Sequence, residues 1–317
     1  MARGPPRRGR EPAQHAYERE LERRSAQYTA LAAGTLSVIW LARGRVRTAL
    51  RWSRESTALL RDVDAVGMLP WALAGLAQAA AQAGEAELAR GAVHEMELRP
   101  LGHKGFECEL GLARAWSAAA DGELSRAHAQ ALAAADLAQS RGQAAFALRA
   151  LHVLCRFGEA AGAAPRIARL ADHVDGPFAQ LAAAHAAALV ARDGRTLLEV
   201  ADHFGALDAR LLAAEAAQAA AAAHHAAGRE ASARGGRALR PLAGALRDCR
   251  PPTLLAGSVQ ELTPREREIA LLAASGLTSR QIAERLVVSV RTVDNHLQHA
   301  YRKLGIARRE ELPGVLI

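Results

Sequence analysis

The sequence predicts an all-α fold, and three observations support this prediction. Half of the residues are hydrophobic but only 4% are aromatic, and alanine, the strongest helix former, supplies much of the hydrophobic total. Valine, isoleucine, threonine and the aromatic residues are too scattered to form several alternating strands. Glycines separate helical stretches at regular intervals. With 317 residues, the chain has room for about two domains with buried cores.

The first 25 residues predict a basic, polar tail. Four arginines and three prolines fall among the first 12 positions, before any helical pattern begins. Charged, proline-rich termini are commonly poorly ordered. We therefore expect residues 1–25 to be disordered, and an arm that contacts DNA is the alternative interpretation.

Residues 26–249 carry a repeated helical pattern. Each of six glycines, at intervals of 34 to 40 residues, lies between two helical stretches, and all but one are followed five positions later by alanine. A tight helical hairpin needs glycine where the backbone reverses and a small side chain where the helices cross. The segments around Gly84 and Gly122 resemble the turn of tetratricopeptide repeats. The glycines are Gly44, Gly84, Gly122, Gly158, Gly194 and Gly228, and the alanines are Ala49, Ala89, Ala127, Ala163 and Ala233.

These features predict a tetratricopeptide-like array of about six hairpins over residues 26–249, with an extended concave groove that receives a partner. An irregular helical bundle is the alternative. A linker is expected over residues 250–261, because Pro251 and Pro252 lack the amide hydrogen that a continuing helix needs.

Residues 262–317 predict a second, smaller domain of short helices. Thr263, Thr278 and Ser289 can each cap a helix, and Glu266 and Gln281 complete capping boxes with the first two. The three helices are expected over residues 264–274, 279–286 and 290–304. A short capped helix, a tight turn and a longer helix with one polar face have the geometry of a helix-turn-helix.

The third of these helices is expected to be amphipathic. Its apolar positions should face the core of the small domain, and its polar positions should face solvent. The expected buried residues are Val290, Val293, Leu297 and Leu304, and the expected exposed residues are Arg291, Asp294, Asn295 and Gln298.

The motifs of this domain resemble the LuxR-type DNA-binding domain. They are Leu-Thr-Pro-Arg-Glu at 262–266, Gly-Leu-Thr at 276–278, Gln-Ile-Ala at 281–283, Ser-Val-Arg-Thr-Val-Asp-Asn-His at 289–296 and Lys-Leu-Gly-Ile at 303–306. Behind a long alanine-rich array, the domain is similar to the C-terminal part of the large ATP-binding regulators of that family. Those regulators carry an N-terminal ATPase, whereas neither Lys104 nor Lys303, the two lysines of this chain, stands in a phosphate-binding Gly-Lys-Ser/Thr loop. We therefore expect no nucleotide cofactor, and either a short relative or a fragment of a larger regulator.

The resemblance implies that the third helix contacts DNA. Outward side chains near the start of a recognition helix point at the groove floor, and basic side chains at its flanks reach phosphates. We expect Asn295 and Gln298, with Asp294 as a further candidate, to read base edges. The other expected DNA-binding residues are Thr278, Arg280, Arg291, Thr292, Arg302 and Lys303, of which the last four hold phosphates. His296 is expected to pack inward, and a base contact is the alternative.

Three positions depart from the family pattern. Asp294 stands where lysine or another groove-reading residue is usual, and a carboxylate there could accept a hydrogen bond only from a donor such as cytosine N4. Arg308 replaces a serine cap ahead of the last helix, at a cost of about 1 kcal/mol. Pro313 ends that helix early, which argues against family-style dimerisation through it, although a homodimer remains among the expected assemblies.

The sequence contains no motif typical of an enzyme active site or of a metal site. The 12 histidines include no His-Glu-x-x-His, and Cys108, Cys155 and Cys249 lie too far apart for a zinc site. They are expected to be buried thiols in a reducing compartment. The apolar stretches are too short to span a bilayer. The basic N-terminus is not followed by the apolar region that a signal peptide needs. The sequence predicts a cytoplasmic protein with no enzyme activity, metal or cofactor.

The functional prediction is a bacterial transcription regulator. Its helix-turn-helix would bind double-stranded promoter DNA, and its array would sense a ligand or a protein such as RNA polymerase. Charge gives little support for DNA binding by this domain, because residues 262–317 carry a net charge of only +3 out of +8 for the chain. The alternatives are a helical-repeat scaffold with a vestigial DNA-binding domain, and a three-helix unit that serves protein contact.

Overall fold

The computed structural model describes residues 10–100, 102–226, 251–253, 262–304, 306 and 308–313. Within these ranges the chain contains helices and no strand. A long helical array occupies the described residues up to 226, and a small three-helix domain follows from residue 262. The predicted all-α class, with a helical array ahead of a small helix-turn-helix domain, is confirmed. The predicted domain limits at residues 249 and 250 fall outside the described residues.

The array consists of twelve helices within the described residues: α1 (Arg10–Glu22), α2 (Ala26–Ala42), α3 (Val46–Asp62), α4 (Leu69–Ala83), α5 (Ala86–Glu97), α6 (Glu107–Ala120), α7 (Leu124–Ser140), α8 (Ala144–Arg156), α9 (Ala160–Ala171), α10 (Pro177–Ala191), α11 (Gly194–Ala206) and α12 (Arg210–Ala226). The C-terminal domain consists of α13 (Pro264–Ala274), α14 (Ser279–Leu286) and α15 (Val290–Leu304). Short 3-10 turns lie at Lys104–Phe106 and Arg309–Glu311.

Four of the predicted hairpin turns have the backbone that glycine permits. Gly44, Gly84, Gly122 and Gly158 all have a positive φ, between +69° and +97°. At each turn, the amide of the next residue donates to the carbonyl five positions back, as between Arg45 N and Trp40 O at 2.9 Å, which is the bond of a Schellman cap. The alanines predicted at the helix crossings are fully buried, namely Ala49, Ala89, Ala127 and Ala163.

The fifth predicted turn lies elsewhere than expected. Gly194 is the first residue of α11, and the chain reverses at Arg192, whose φ is +51°. Asp193 caps α11 by accepting from the amides of Arg195 and Thr196. The absence of a side chain at Gly194 instead allows α12 to approach, since a Cβ there would lie 2.8 Å from the His224 ring. The sixth predicted pair, Gly228 and Ala233, lies outside the described residues, and the likeness to tetratricopeptide repeats stays a prediction.

The predicted N-terminal tail is wrong for residues 10–22, which form α1. The Tyr17 ring meets Trp52 of α3 edge-on with centroids 4.8 Å apart, and Glu20 is buried. Burial of the apolar face of α1 against the array stabilises the helix despite Pro12 and its many charges. Residues 1–9 lie outside the described residues.

The described part of the array curves so that the start of α12 contacts the turn between α2 and α3. The turn after α2 packs against the start of α12, where a Cβ on Gly44 would lie 2.5 Å from the Leu211 amide nitrogen. Arg43 lies 3.9 Å from Asp208, in the turn that precedes α12. The inner faces of the helices thus line a half-open cavity, and the predicted groove that receives a partner stays a prediction.

The C-terminal domain folds around a small core of its own. Its buried residues include Ile269 of α13, Ile282 of α14, and Val293 and Leu297 of α15. Both predicted capping boxes are present, at Thr263 and at Thr278. Arg308 has an extended backbone and makes no side-chain cap bond, in agreement with the predicted loss of a cap.

Candidate nucleic-acid interface

Helix α15 presents the polar face that the sequence predicts. Ser289 caps it, since its hydroxyl accepts from the Thr292 amide at 3.1 Å. Val293 and Leu297 are buried beneath the helix, and Asp294 and Asn295 between them turn outward. The exposed residues of this face are Arg291, Asp294, Asn295, Gln298 and Arg302.

The remaining predicted DNA contacts differ in availability. The Thr292 side chain is half-buried and its hydroxyl is bonded to that of Ser289 at 2.8 Å. Thr278 is exposed and caps α14, and Arg280 is exposed in an ion pair with Glu284 at 3.1 Å. Lys303 lies on α15, but its side chain is outside the described residues.

Two positions of α15 refine the predicted inner and outer faces. His296 is half-buried, in agreement with a packing position. Val290 is 42% exposed, so its predicted burial is wrong. It is the first residue of the helix, beside a turn whose Val287 is 90% exposed. No core lies beneath this corner of the domain.

The turn between α14 and α15 is held in a costly conformation. Val287 has a φ of +53°, which a β-branched residue rarely adopts because its Cβ crowds the backbone. The Arg265 guanidinium donates to the Leu286 carbonyl at 3.3 Å and to Glu268 at 2.6 Å. These bonds hold the turn against α13 and so fix the angle between α15 and the other two helices of the domain.

The domain is docked on the array through α13 and α14, a contact that the sequence does not predict. Arg285 of α14 reaches Glu123 at 2.9 Å and the Asp121 carbonyl at 3.3 Å. Glu268 of α13 accepts from the Ser125 amide at 3.3 Å and from its hydroxyl at 2.9 Å. Glu268 is only 1% exposed, so its charge depends on these donors and on Arg265.

Two further contacts join the C-terminal part of the chain to the array. Leu272 fits over the turn glycine Gly122, where a Cβ would lie 3.3 Å from the leucine side chain. The Thr253 hydroxyl donates to Glu215 of α12. The polar face of α15 points away from these contacts and stays exposed in the docked arrangement.

The described part of the chain contains neither a metal-binding cluster nor a helix that could span a membrane. No group of three or more histidine, cysteine or acidic side chains there could hold a metal ion. None of its helices is long and apolar enough to cross a bilayer. Burial raises the pKa of Cys108 to about 11 and that of Cys155 to about 12, as expected for buried thiols, and Cys249 lies outside the described residues.

The known proteins to which this chain is similar match its C-terminal domain. The family model described as bacterial regulatory proteins, luxR family, matches residues 260–314. A putative HTH-type transcriptional regulator of Mycobacterium bovis is 53% identical over 51 residues, which cover 16% of this chain and 6% of that protein. The probable HTH-type transcriptional regulator GfsR of Streptomyces halstedii is 46% identical over 50 residues, 16% of this chain and 21% of the relative.

The same segment is similar to a response regulator. The nitrate/nitrite response regulator protein NarL of Escherichia coli is 43% identical over 53 residues, which cover 17% of this chain and 24% of that protein. The chain thus matches less than a third of the length of each of these relatives. No solved structure matches the chain significantly. Residues 260–314 are a helix-turn-helix domain of the luxR family of bacterial regulatory proteins.

Proposed function

We propose that this chain is a transcription regulator that binds double-stranded promoter DNA through α15. One observation carries the proposal: a capped helix of a luxR-family domain holds Asn295 and Gln298 on an exposed polar face. A recognition helix placed in the major groove directs such side chains at base edges. Asparagine and glutamine are suited to adenine, which offers an acceptor and a donor side by side.

The other polar residues of the domain are assigned by position. Arg291 at the start of α15 and Arg302 near its end are exposed, and their long side chains can reach phosphates on either side of the groove. Asp294 would be repelled by phosphate and is assigned to the groove floor, opposite cytosine N4. Thr278, Arg280, Thr292 and Lys303 complete the proposed set.

The array is proposed to sense a ligand or a protein and to pass its state to the DNA-binding domain. The docking contacts of Arg285 and Glu268 support this role, because they join the two parts directly. RNA polymerase is one proposed protein partner, and a second copy of the chain is another. We place the protein in the cytoplasm, with its DNA, and assign it no catalytic step.

Replacing Arg302 with alanine should weaken binding to all DNA sequences alike. Each phosphate contact adds about one unit to the slope of log affinity against log salt, so the slope should flatten by about one unit. Fluorescence anisotropy of labelled duplex DNA between low and moderate salt measures this slope. Arg195, which is exposed on α11 and paired with Glu199, is the matched control, and Arg195→Ala should keep the original slope.

The scaffold alternative makes the opposite prediction. A vestigial domain would show no salt-dependent binding to duplex DNA, with or without Arg302. An unchanged slope in Arg302→Ala, together with intact binding, would instead place α15 in a different register on the DNA.

A further inference from the structure

The inner side of the array holds a half-open cavity of about 450 Å³. The inner faces of α2, α4, α6, α8 and α10 form most of its wall, and the start of α12 completes the wall. Pockets that hold small molecules span about 300 to 1,000 Å³, so this cavity has the size of one small ligand.

The wall of the cavity is mostly apolar and rich in aromatic rings. Trp71, Trp116 and Phe178 contribute flat surfaces, and aliphatic side chains of α2 and α12 fill the gaps between them. Gln78 and Gln82 add amide groups to one side. An occupant would therefore meet ring faces on several sides and hydrogen-bonding groups on one.

Two of the three arginines at the wall are paired with buried carboxylates. Arg156 makes two bonds to Glu215, at 2.7 and 2.9 Å. Arg149 is paired with Glu109, which Gln78 also contacts, at 3.2 Å. The third arginine at the wall, Arg43, lies 3.9 Å from Asp208, which Arg210 binds more closely at 2.9 Å. A charged ligand beside Arg156 or Arg149 would have to break one of the two buried pairs or be buried without a partner, and both are costly.

A glycine in the middle of α4 leaves part of this space open. Gly75 lines the cavity, and a Cβ added there would meet no atom within 4 Å. Glycine inside a helix costs about 1 kcal/mol relative to alanine, and here no neighbour requires it. A larger side chain at this position would stand in the cavity without disturbing the packed helices.

We propose that this cavity binds one uncharged, largely apolar small molecule with an aromatic or polycyclic body and a hydrogen-bonding group directed at Gln78 and Gln82. The inference rests on the proposed sensing role of the array and names its ligand class. Arg156 borders the cavity, and its partner Glu215 also accepts a hydrogen bond from Thr253, which precedes the first residue of α13 by eleven positions. An occupant that touches Arg156 is thereby two contacts away from the segment that leads into the DNA-binding domain.

Two fluorescent probes that share one skeleton test the proposal. N-phenyl-1-naphthylamine is uncharged, and 8-anilinonaphthalene-1-sulfonate carries an anionic group on the same rings. We expect saturable binding of one uncharged probe per full-length chain, and binding of the anionic probe that is weaker by about tenfold or more. Gly75→Leu should weaken binding of the uncharged probe by about tenfold or more, because the new side chain occupies the site. Gly91 of α5 is exposed and equally open, so Gly91→Leu should bind as the unchanged protein does.

Three results would overturn the proposal: no saturable binding of the uncharged probe, equal binding of the two probes, or unchanged binding in Gly75→Leu. Circular dichroism checks that each variant is folded. If Gly75→Leu does not fold, Gly75→Ala replaces it, since alanine favours the helix. Gly75→Ala should still reduce the affinity for the uncharged probe, and an unchanged affinity counts against the site. Duplex DNA binding is measured on the same samples without probe. Intact DNA binding without probe binding overturns the cavity proposal alone, whereas absent DNA binding overturns the proposed function.

Discussion

Replacing Arg156 with methionine is expected to lower the free energy of unfolding by about 3 to 5 kcal/mol. The guanidinium and the Glu215 carboxylate are both more than nine-tenths buried and make two parallel bonds. Removing the arginine leaves a buried carboxylate that still accepts from the neutral Thr253 hydroxyl but has lost its charged partner. The guanidinium also lies 4.7 Å from the Trp116 ring centre, and this contact is lost as well.

Urea denaturation of three variants measures the effect and its origin. Arg156→Met with Glu215→Met should recover most of the loss, because an apolar pair leaves no buried charge. The exposed pair of Arg195 and Glu199 is the control, and Arg195→Met should cost less than about 1 kcal/mol. A loss below about 1 kcal/mol in Arg156→Met would show that water reaches the Glu215 carboxylate and that the array is not closed there.

Lowering the pH from 7 to 5 is expected to destabilise the array by about 2 kcal/mol for each of two buried histidines. His152 and His185 are each 2% exposed, and their rings share a hydrogen bond of 3.0 Å. Burial lowers the pKa of His185 to about 3, with a further contribution from Arg156. Burial also holds the pKa of His152 well below its usual value, and His185 and Arg156 lower it further.

The sign follows from proton binding in the two states. The unfolded chain takes up a proton on each histidine below about pH 6.5, whereas the folded chain keeps both rings neutral until far lower pH. Unfolding therefore consumes protons between these values, and stability falls as the pH falls. Above about pH 6.5 neither state is protonated at these rings, so their contribution no longer changes.

Urea denaturation at both pH values tests this expectation. Between pH 7 and pH 5, the free energy of unfolding should fall by about 4 kcal/mol less in the double variant His152→Leu with His185→Leu than in the unchanged protein. His203 of α11 is exposed, and His203→Gln should leave the pH dependence as it was. Equal acid sensitivity in the double variant and the unchanged protein would mean that the pair accepts protons in the folded state.

The parts of the structure that the sequence predicts are those set by local chemistry. The capping box of Thr263 and Glu266 and the positive φ of Gly84 depend on residues a few positions apart. The polar face of α15 follows from the helical period alone. Helix α1 was missed because its stability comes from contacts such as Tyr17 with Trp52, and its composition favours a tail.

The parts that the sequence does not predict join distant segments. Glu268 and Ser125 lie 143 positions apart, and Arg285 and Glu123 lie 162 apart. The contact of Gly44 with Leu211 depends on the small rotation that each hairpin adds to the array. No local pattern encodes that accumulated curvature, so neither the cavity nor the docking surface could be derived from motifs.

The most direct test of the account is the set of sequences that the full-length chain and its Asn295→Ala variant select from random duplex DNA. If Asn295 reads an adenine, the variant should lose about 1 to 3 kcal/mol at the preferred site and relax its selectivity at about one base pair. Arg302→Ala should select the same sequences as the unchanged protein, with lower affinity throughout. An unchanged profile in Asn295→Ala, or an altered one in Arg302→Ala, would contradict the assignment of α15 as the reading helix in this register.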